Sequence, residues 1–383
     1  MMARLRSIGH PAGGRPNRRL VRRPEDRLRL TSSWSQRTFL VVLALVWLAT
    51  PSYLGDYWLD VLARCGLAAI GAIGLNLLTG YTGQISLGHA FFIGVGAYVA
   101  AWFGVQQQMP LLVWLPLCAI IGGLIGGVIG PVALRLRGNY LAIVTVGLLY
   151  IGNLIFNNWD SLTGGHAGTA TAAPVSIGPV DFADLHLFGQ VWSRRQGLFW
   201  LVWLLVALAA LVAKNLVRTR PGRAMQAVRD QDVAAEVVGV NVAVYKVGAF
   251  AVSSAFAAVA GGLFGVVQQF VNPSDFGGAP GLLLSITYVA MIIVGGMGTI
   301  GGSVVGALVV VALPNVIQQI NQSIAIPLVK SSPTATDGVI TVFQLNQLLF
   351  GVLIIVFLLF ESRGLAAVWQ RAKRYVVSWP FPS

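Results

Sequence analysis

Charged residues are scarce in this sequence of 383 residues: they make up 10% of it, against 56% hydrophobic residues. The mean hydropathy is +0.75. A soluble globular protein needs far more charged and polar side chains to cover its surface. The low charge therefore excludes an ordinary soluble fold and predicts a polytopic membrane protein.

Cysteine and histidine are also rare, at two and four residues. Cys65 and Cys118 both lie in apolar segments, so they predict neither a disulfide framework nor a metal site. No pair of carboxylates and no histidine cluster shares a predicted helix face. The phosphate-binding pattern G-x-x-x-x-G-K-[ST] does not occur. We therefore expect a chain that catalyses no reaction and binds no metal or cofactor of its own.

Acidic residues are missing from the middle of every long apolar run. An ion-coupled carrier is expected to bury a carboxylate there, because ionisable groups inside a membrane are costly and usually functional. This absence argues against that class of transporter. Asp60 and Arg64 lie one helical turn apart near the outer end of one run, where they predict an interfacial ion pair.

Apolar runs of about twenty residues, the length that crosses a bilayer as a helix, recur along the chain. They predict an all-α polytopic membrane protein with about ten transmembrane helices, some of them interrupted by glycine. The predicted spans are roughly 38–55, 58–79, 85–105, 110–134, 140–157, 197–213, 247–267, 282–301, 303–320 and 344–360. With Arg194, Arg195 and Lys330 as exceptions, the basic residues then fall on one side, so both termini are predicted to be cytoplasmic.

The predicted membrane domain, residues 38–360, is flanked by tails at 1–37 and 361–383. Ten arginines and two acidic residues precede the first span, so this tail carries about +8 of the net charge of +13. We expect a cytoplasmic tail held by anionic membrane lipids. A nucleic-acid-binding arm and an organellar transit peptide are the less favoured alternatives.

Glycine, at 45 residues, organises the rest of the chain. Two stripes of glycines spaced four apart predict close helix packing, which small residues allow in a membrane. The stripes are Gly122, Gly126 and Gly130, and Gly298, Gly302 and Gly306. The long outer segment, residues 158–196, is rich in Gly, Ala, Thr and Pro and predicts an irregular, partly ordered loop.

Residues 214–246, which we call the inner segment, predict a short amphipathic helix. Pro221 suits its first turn and Gly239 is a plausible stop. Such a helix can lie on the membrane surface or dock into a groove on a partner protein. Three acidic residues favour docking on a partner protein over binding to the membrane surface, because anionic lipid headgroups repel them. They are Asp230, Asp232 and Glu236.

Glycines and polar residues interrupt the entry to the third predicted span, in GYTGQISLGHAFFIGVGAYVAA. We call residues 80–89 the polar break. It has two interpretations: a helix contact in which Gln84, Ser86 and His89 hydrogen-bond across the bundle, or a broken helix that lines a path for a zwitterionic solute. A metal ligand or proton relay is a weaker alternative for His89.

A second interrupted segment, IIVGGMGTIGGSVVGA at residues 292–307, lies in the other half of the chain. A matched pair of interrupted segments points to inverted repeats that meet at a substrate route, although the identity between these two is weak. Seven residues are predicted to line or shape the path, where hydroxyl and amide groups replace water around an ammonium or carboxylate. They are Tyr81, Thr82, Gln84, Ser86, His89, Thr299 and Ser303.

Five stretches between about residues 58 and 315 carry a resemblance to a known family. They are LNLLTGYTGQISLGHAFFIGVGAYVAA, LRGNYLAIVTVG, NNWDSLTGGHAGT, RPGRAMQAVRDQDVAAEVVGVNVAVYK and FVNPSDFGGAPGLLLSITYVAMIIVGGMGTIGGSVVGA. These stretches resemble the permeases of branched-chain (hydrophobic) amino acid ABC importers, and they follow one another in the same order as in that family. The chain looks most like the LivM-type subunit.

The resemblance implies a permease subunit of an ATP-driven importer in the bacterial inner membrane. Its implied partners are a second, LivH-type permease, two cytoplasmic ATPases that bind ATP and Mg, and a periplasmic or lipid-anchored binding protein. No nucleic acid is expected. A permease for urea or short amides is the main alternative, ahead of an ion-coupled carrier or a structural scaffold.

In that family the inner loop inserts into a cleft of the ATPase, so the resemblance extends a coupling role to the inner segment. The residues expected to take part are Arg223, Arg229, Asp230, Ala234, Ala235, Glu236 and Gly239. The Arg-rich tail and an insertion in the outer segment depart from the family pattern. The insertion bears on how the binding protein docks.

Overall fold

The computed structural model describes residues 34–134, 139–178, 180–187 and 190–324, together with scattered positions between 341 and 371. The chain divides into two units, of which the first ends at Tyr53. Its described part is one helix, α1 (Trp34–Tyr53). The second unit, from Leu54 onwards, contains all the other helices and strands that the structure describes.

The second unit is built from helices whose long members are mainly apolar. In chain order they are α2 (Asp56–Thr82), α3 (His89–Val99, continued by a π-helical stretch at Ala100–Gln106), α4 (Leu111–Leu134), α5 (Asn139–Asn158), α6 (Asp160–Thr163), α7 (Arg194–Arg218), α8 (Arg220–Asp230), α9 (Asp232–Val237), α10 (Val242–Gln268), α11 (Gly278–Gly295) and α12 (Ile300–Ile324). Within the described residues, eight helices are long and apolar enough to cross a membrane: α2 to α5, α7 and α10 to α12.

These eight helices coincide with eight of the predicted spans, which confirms an all-α, multi-pass membrane protein. The first predicted span, 38–55, falls on α1, and the last, 344–360, lies mostly outside the described residues. Several boundaries depart from the predicted ones by four to six residues. Helix α3 begins only at His89, α7 continues to Arg218, α10 begins already at Val242, and α11 ends at Gly295 instead of continuing to 301.

The centre of the bundle is formed by α2 and α10. In the most apolar stretch of α2, 89% of the residues are buried. This helix packs against α7, α10 and α12. Helix α10 also packs against α3 and α4. Since both faces of α2 are covered by protein, its few polar side chains must find partners on neighbouring helices.

The glycine stripe of α4 packs against α10, as predicted. A Cβ atom at Gly122 would lie 2.9 Å from the Ser254 carbonyl oxygen, and one at Gly130 would lie 2.9 Å from Val247. The second stripe is only partly helical. Gly302 and Gly306 lie on α12 against Gly295 of α11, whereas Gly298 lies in the turn before α12 with φ of +76°. We call residues 296–299 the glycine turn.

The outer segment is partly ordered, as predicted: after α6 and a 3-10 turn at Gly165–Ala167 it forms five short strands, one of which pairs with a sixth strand that follows α10. The strands are β1 (Thr169–Ala170), β2 (Ser176–Ile177), β3 (Val180–Asp181), β4 (Leu185–Leu187), β5 (Gln190–Trp192) and β6 (Phe270–Val271), which pair as β1 with β6, β2 with β3 and β4 with β5. Strand β6 follows α10 directly, and Thr171 Oγ1 donates a 2.7 Å hydrogen bond to the Gly265 carbonyl of that helix. The outer segment is thereby fixed to one end of α10.

Helix α2 connects the two ends of the bundle. Near its first residue, Ser193 Oγ of the outer segment lies 3.2 Å from Asp56 Oδ1. At its other end, Gly80 contacts the inner segment. A helix of this length spans about 40 Å at 1.5 Å per residue, so the outer and inner segments lie on opposite sides of the bundle.

Candidate functional site

The polar break begins where α2 ends, and its geometry is that of a glycine-capped helix. Gly83 has φ of +75° and its amide donates to the Thr79 carbonyl. The Gln84 amide donates to Leu78 instead of to Gly80, its acceptor in a continuing helix. The Gly83 to Thr79 bond is that of an αL C-cap, and the Gln84 bond to Leu78 reaches one residue further back along the helix. This pattern leaves the Gly80 carbonyl free for a partner from another part of the chain.

The far side of the polar break is held by side chains of two other helices. The Leu87 amide donates to Thr145 Oγ1 of α5 at 2.9 Å, and the Ala90 amide donates to Ser285 Oγ of α11 at 3.0 Å. The first amides of a helix have no acceptor within that helix, so these two hydroxyls satisfy the start of α3. The break is therefore a defined structure built from four helices.

Asn76 joins α2 to the glycine turn. Its Oδ1 accepts a 2.9 Å hydrogen bond from the Gly298 amide, and its Nδ2 donates to the Thr299 carbonyl at 2.9 Å and to Ser303 Oγ at 2.7 Å. Asn76 is 1% exposed. Sequence reasoning missed this residue, although a single amide in the apolar run CGLAAIGAIGLNLL was a usable signal.

The inner segment forms two helices instead of the single one predicted. Helix α8 begins with Pro221 in its first turn, as predicted, and its Met225 and Val228 are buried against the bundle. Gln231, in an extended conformation (φ −164°, ψ 112°), separates α8 from α9. Gly239, with φ of +86°, follows the end of α9 and agrees with the predicted stop.

Two tethers connect the inner segment to the polar break. Arg229 Nη1 donates to the Gly80 carbonyl oxygen at 2.6 Å, across 149 residues of sequence. Asp232 of α9 pairs with Lys246 at the start of α10, and the Lys246 carbonyl accepts a 3.1 Å hydrogen bond from Gln84 Nε2. Both ends of residues 80–84 are therefore bound to the inner segment.

Beyond these tethers, α9 presents an exposed apolar surface. Its valines are far more exposed than core valines: Val233 is 67% exposed, Val237 81% and Val238 76%. Ala234 and Glu236 are exposed beside them, whereas Ala235 is buried. We call Val233, Val237 and Val238 the valine knob. An exposed apolar cluster of this kind is typical of a protein–protein contact.

The predicted path residues lie in two groups on either side of Asn76. Six of the seven are buried in this chain: Tyr81, Thr82, Gln84, Ser86, His89 and Ser303. Thr299 is half-buried and its hydroxyl donates to the Gly296 carbonyl. The His89 ring packs against Tyr288, with the ring centroids 4.9 Å apart. The structure thus brings the polar break and the glycine turn together.

The predicted coupling residues do not form one surface. Arg223 and Asp230 are exposed, and Arg223 bonds only locally, to the Arg218 carbonyl. Arg229 is also exposed but bonds to the Gly80 carbonyl of α2, and Ala235 is buried. The valine knob was missed by sequence reasoning because apolar residues on an amphipathic helix are ordinarily assigned to its packed face.

The remaining polar features are structural. The predicted ion pair is confirmed, since Arg64 Nε lies 2.8 Å from Asp60 Oδ2, and Arg64 Nη1 also donates to Gln268 Oε1 at 2.6 Å. Among the residues the structure describes, no three His, Cys, Asp or Glu side chains lie together in a way that could hold a metal ion.

A bundle of apolar spans, one of them entered through a polar break, defines an all-α multi-pass membrane protein. The family described as "Branched-chain amino acid transport system / permease component" matches residues 57–358, and the chain belongs to this family.

Similar curated proteins include the high-affinity branched-chain amino acid transport system permease protein LivM of Escherichia coli K12. It is 29% identical over 304 residues, which cover 76% of this chain and 71% of that protein. LivH of the same strain is 27% identical over 63% of this chain and 78% of its own length. The ribose import permease RbsC of Haemophilus influenzae is 24% identical over 75% of this chain and 86% of its own. No solved structure gives a significant match.

Proposed function

We propose that this chain is the LivM-type permease subunit of an ATP-driven importer that carries branched-chain or other hydrophobic amino acids across the bacterial inner membrane. Membership of the permease family and the similarity to LivM support this function. The similarity to a ribose permease shows that related chains serve other solutes. The selection of solute therefore belongs mainly to a binding protein, which we expect at the outer segment.

The proposed partners are a related LivH-type permease, two cytoplasmic ATPases that bind ATP and Mg, and the binding protein. The valine knob carries the proposal for the ATPases. Exposed valines cost free energy in water, about 25 cal/mol per Å² of apolar surface, and an apolar groove on a partner would remove that cost. The side that bears the knob, and with it both termini, would then be cytoplasmic.

For the solute path, we propose that the polar break and the glycine turn shape its wall. The predicted path side chains are mostly buried and bonded within this chain. This burial supports a role in holding the interrupted backbone in place, since non-helical backbone at membrane depth needs protein or a water-filled cavity to satisfy it. A second permease would complete the path.

Reconstitution tests the proposed function. The chain is purified with its second permease and ATPases, placed in proteoliposomes, and supplied with the binding protein and radiolabelled leucine. Uptake should require ATP and the binding protein and should persist when sodium and proton gradients are abolished. Uptake by this chain alone along an ion gradient would contradict the proposal. Uptake of urea but not of leucine would identify the alternative cargo.

A Val237→Asp substitution tests the valine knob. The change places a charge in the proposed apolar contact, and we expect ATPase binding to weaken at least about tenfold, which corresponds to 1.4 kcal/mol. Phe270→Asp at the other end of the bundle, where the ring is 48% exposed, is the matched control and should leave the affinity unchanged. Equal affinities for both variants would remove the knob from the interface.

A further inference from the structure

We propose that Arg229 is the positioning residue that transmits movement of the inner segment to the polar break and the glycine turn. This inference rests on the proposed function. It concerns how the inner segment acts on the membrane helices, and it is independent of which surface an ATPase contacts. The inference starts from the guanidinium of Arg229, which belongs to α8 of the inner segment and bonds to Gly80 at the end of the membrane helix α2.

Arg229 lies at the joint of the inner segment. It is in the last turn of α8, two residues before Gln231, where the chain becomes extended. Helix α8 is anchored to the bundle by buried Met225 and Val228, whereas α9 exposes the valine knob. A force applied to α9 by a partner therefore reaches α8 and the bundle through this joint, in addition to the Asp232–Lys246 pair that joins α9 to α10.

The guanidinium is bound to an acceptor that favours a cation. The Gly80 carbonyl lies in the last turn of α2 and is not used by the Gln84 amide. The final carbonyls of a helix carry the negative end of its dipole, and hydrogen bonds from charged donors are shorter and stronger than neutral ones. The Nη1 to oxygen distance of 2.6 Å agrees with a charge-assisted bond.

The same guanidinium covers the glycine turn. A Cβ atom at Gly298 would lie 3.0 Å from Arg229 Nη1, and a Cβ atom at Gly80 would lie 2.5 Å from the Gly298 amide nitrogen. The end of α2 and the turn before α12 are thus in backbone contact directly beneath Arg229. A shift of the guanidinium acts on both interrupted segments together.

The second tether has a different role. The Asp232–Lys246 pair joins the first residue of α9 to the first turns of α10, and it reaches the polar break only through the Lys246 carbonyl. This pair holds α9 in place. Arg229 alone among the charged side chains of α8 and α9 is seen to bond directly to the polar break in the described structure.

The test uses the complete importer in proteoliposomes and measures the leucine transported per ATP hydrolysed, together with ATPase binding. Arg229→Gln should bind the ATPases normally and still hydrolyse ATP, while leucine transported per ATP falls about tenfold, the factor expected when one charge-assisted hydrogen bond is lost. Arg229→Lys keeps the charge and should recover part of the ratio. Arg220→Gln, at the exposed start of the same helix, should behave as wild type.

A second pair of variants leaves Arg229 unchanged. Gly298→Ala places a methyl group against the guanidinium and strains the glycine turn, whose φ at this residue is +76°, so it should uncouple ATP hydrolysis from uptake in the same way. Gly301→Ala is its control, because a Cβ there meets nothing within 4 Å.

Normal coupling in Arg229→Gln or Gly298→Ala would overturn the inference, and so would loss of ATPase binding in Arg229→Gln, which would assign that side chain to the interface. If wild-type complexes fail to couple leucine uptake to ATP, the proposed function itself is wrong.

Discussion

Replacing Asn76 by leucine should separate the glycine turn from α2. Leucine is of similar size but has no polar atoms, so the substitution removes all three hydrogen bonds that Asn76 makes to Gly298, Thr299 and Ser303. Double-mutant cycles in a membrane protein give about 0.6 kcal/mol for each such bond, so three bonds amount to about 2 kcal/mol. If the Gly298 amide finds no other acceptor, its desolvation adds about 1 kcal/mol or more.

The assay is thermal unfolding of the purified protein in detergent. A loss of about 2 kcal/mol corresponds to a fall in Tm of about 4–8 °C for a chain of about 150–250 residues, and to less for a longer one. Asn158→Leu is the matched control. Asn158 is exposed at the end of α5 and its amide bonds only to Leu154 of its own helix, so its replacement should change Tm little. Equal melting temperatures for the two variants would refute the assignment of Asn76 as the residue that holds the turn.

Two further predictions concern glycines. Gly96→Ala would place a methyl group against the Ala258 carbonyl oxygen. It should therefore destabilise the fold by about 1–3 kcal/mol in thermal unfolding. Gly147→Ala should not destabilise the fold, because a Cβ atom there meets nothing within 4 Å. Gly239→Ala should cost about 1 kcal/mol because its φ is +86°, whereas Gly248→Ala in α10 should gain about 0.5–1 kcal/mol. Changes of the same sign at these last two positions would contradict the described backbone.

The class of protein and most of its helices follow from the sequence because they depend on local properties. Length and hydropathy of an apolar run decide whether a helix can cross a bilayer, and eight runs do so at nearly the predicted bounds. The spacing of Gly122, Gly126 and Gly130 predicts a packed helix face, which the structure confirms against α10. The density of glycine and polar residues likewise predicts the polar break, although not its end at His89.

The connections within the candidate site were decided by the tertiary structure. Asn76 finds its partners more than 220 residues away, and Arg229 finds Gly80 149 residues away. No periodicity within α2 or α8 encodes either pair. Gly298 looked like part of a helical stripe, but its positive φ places it in a turn.

The inner segment shows most clearly which features follow from the sequence and which depend on the tertiary structure. Its sequence predicts an amphipathic helix, and local signals such as Pro221 and Gly239 mark its ends. The sequence does not determine that the helix breaks at Gln231, that Arg229 bonds to the end of α2, or that the valine knob is exposed. Side-chain direction depends on which neighbours a helix meets, and those neighbours come from distant parts of the chain that only folding brings together.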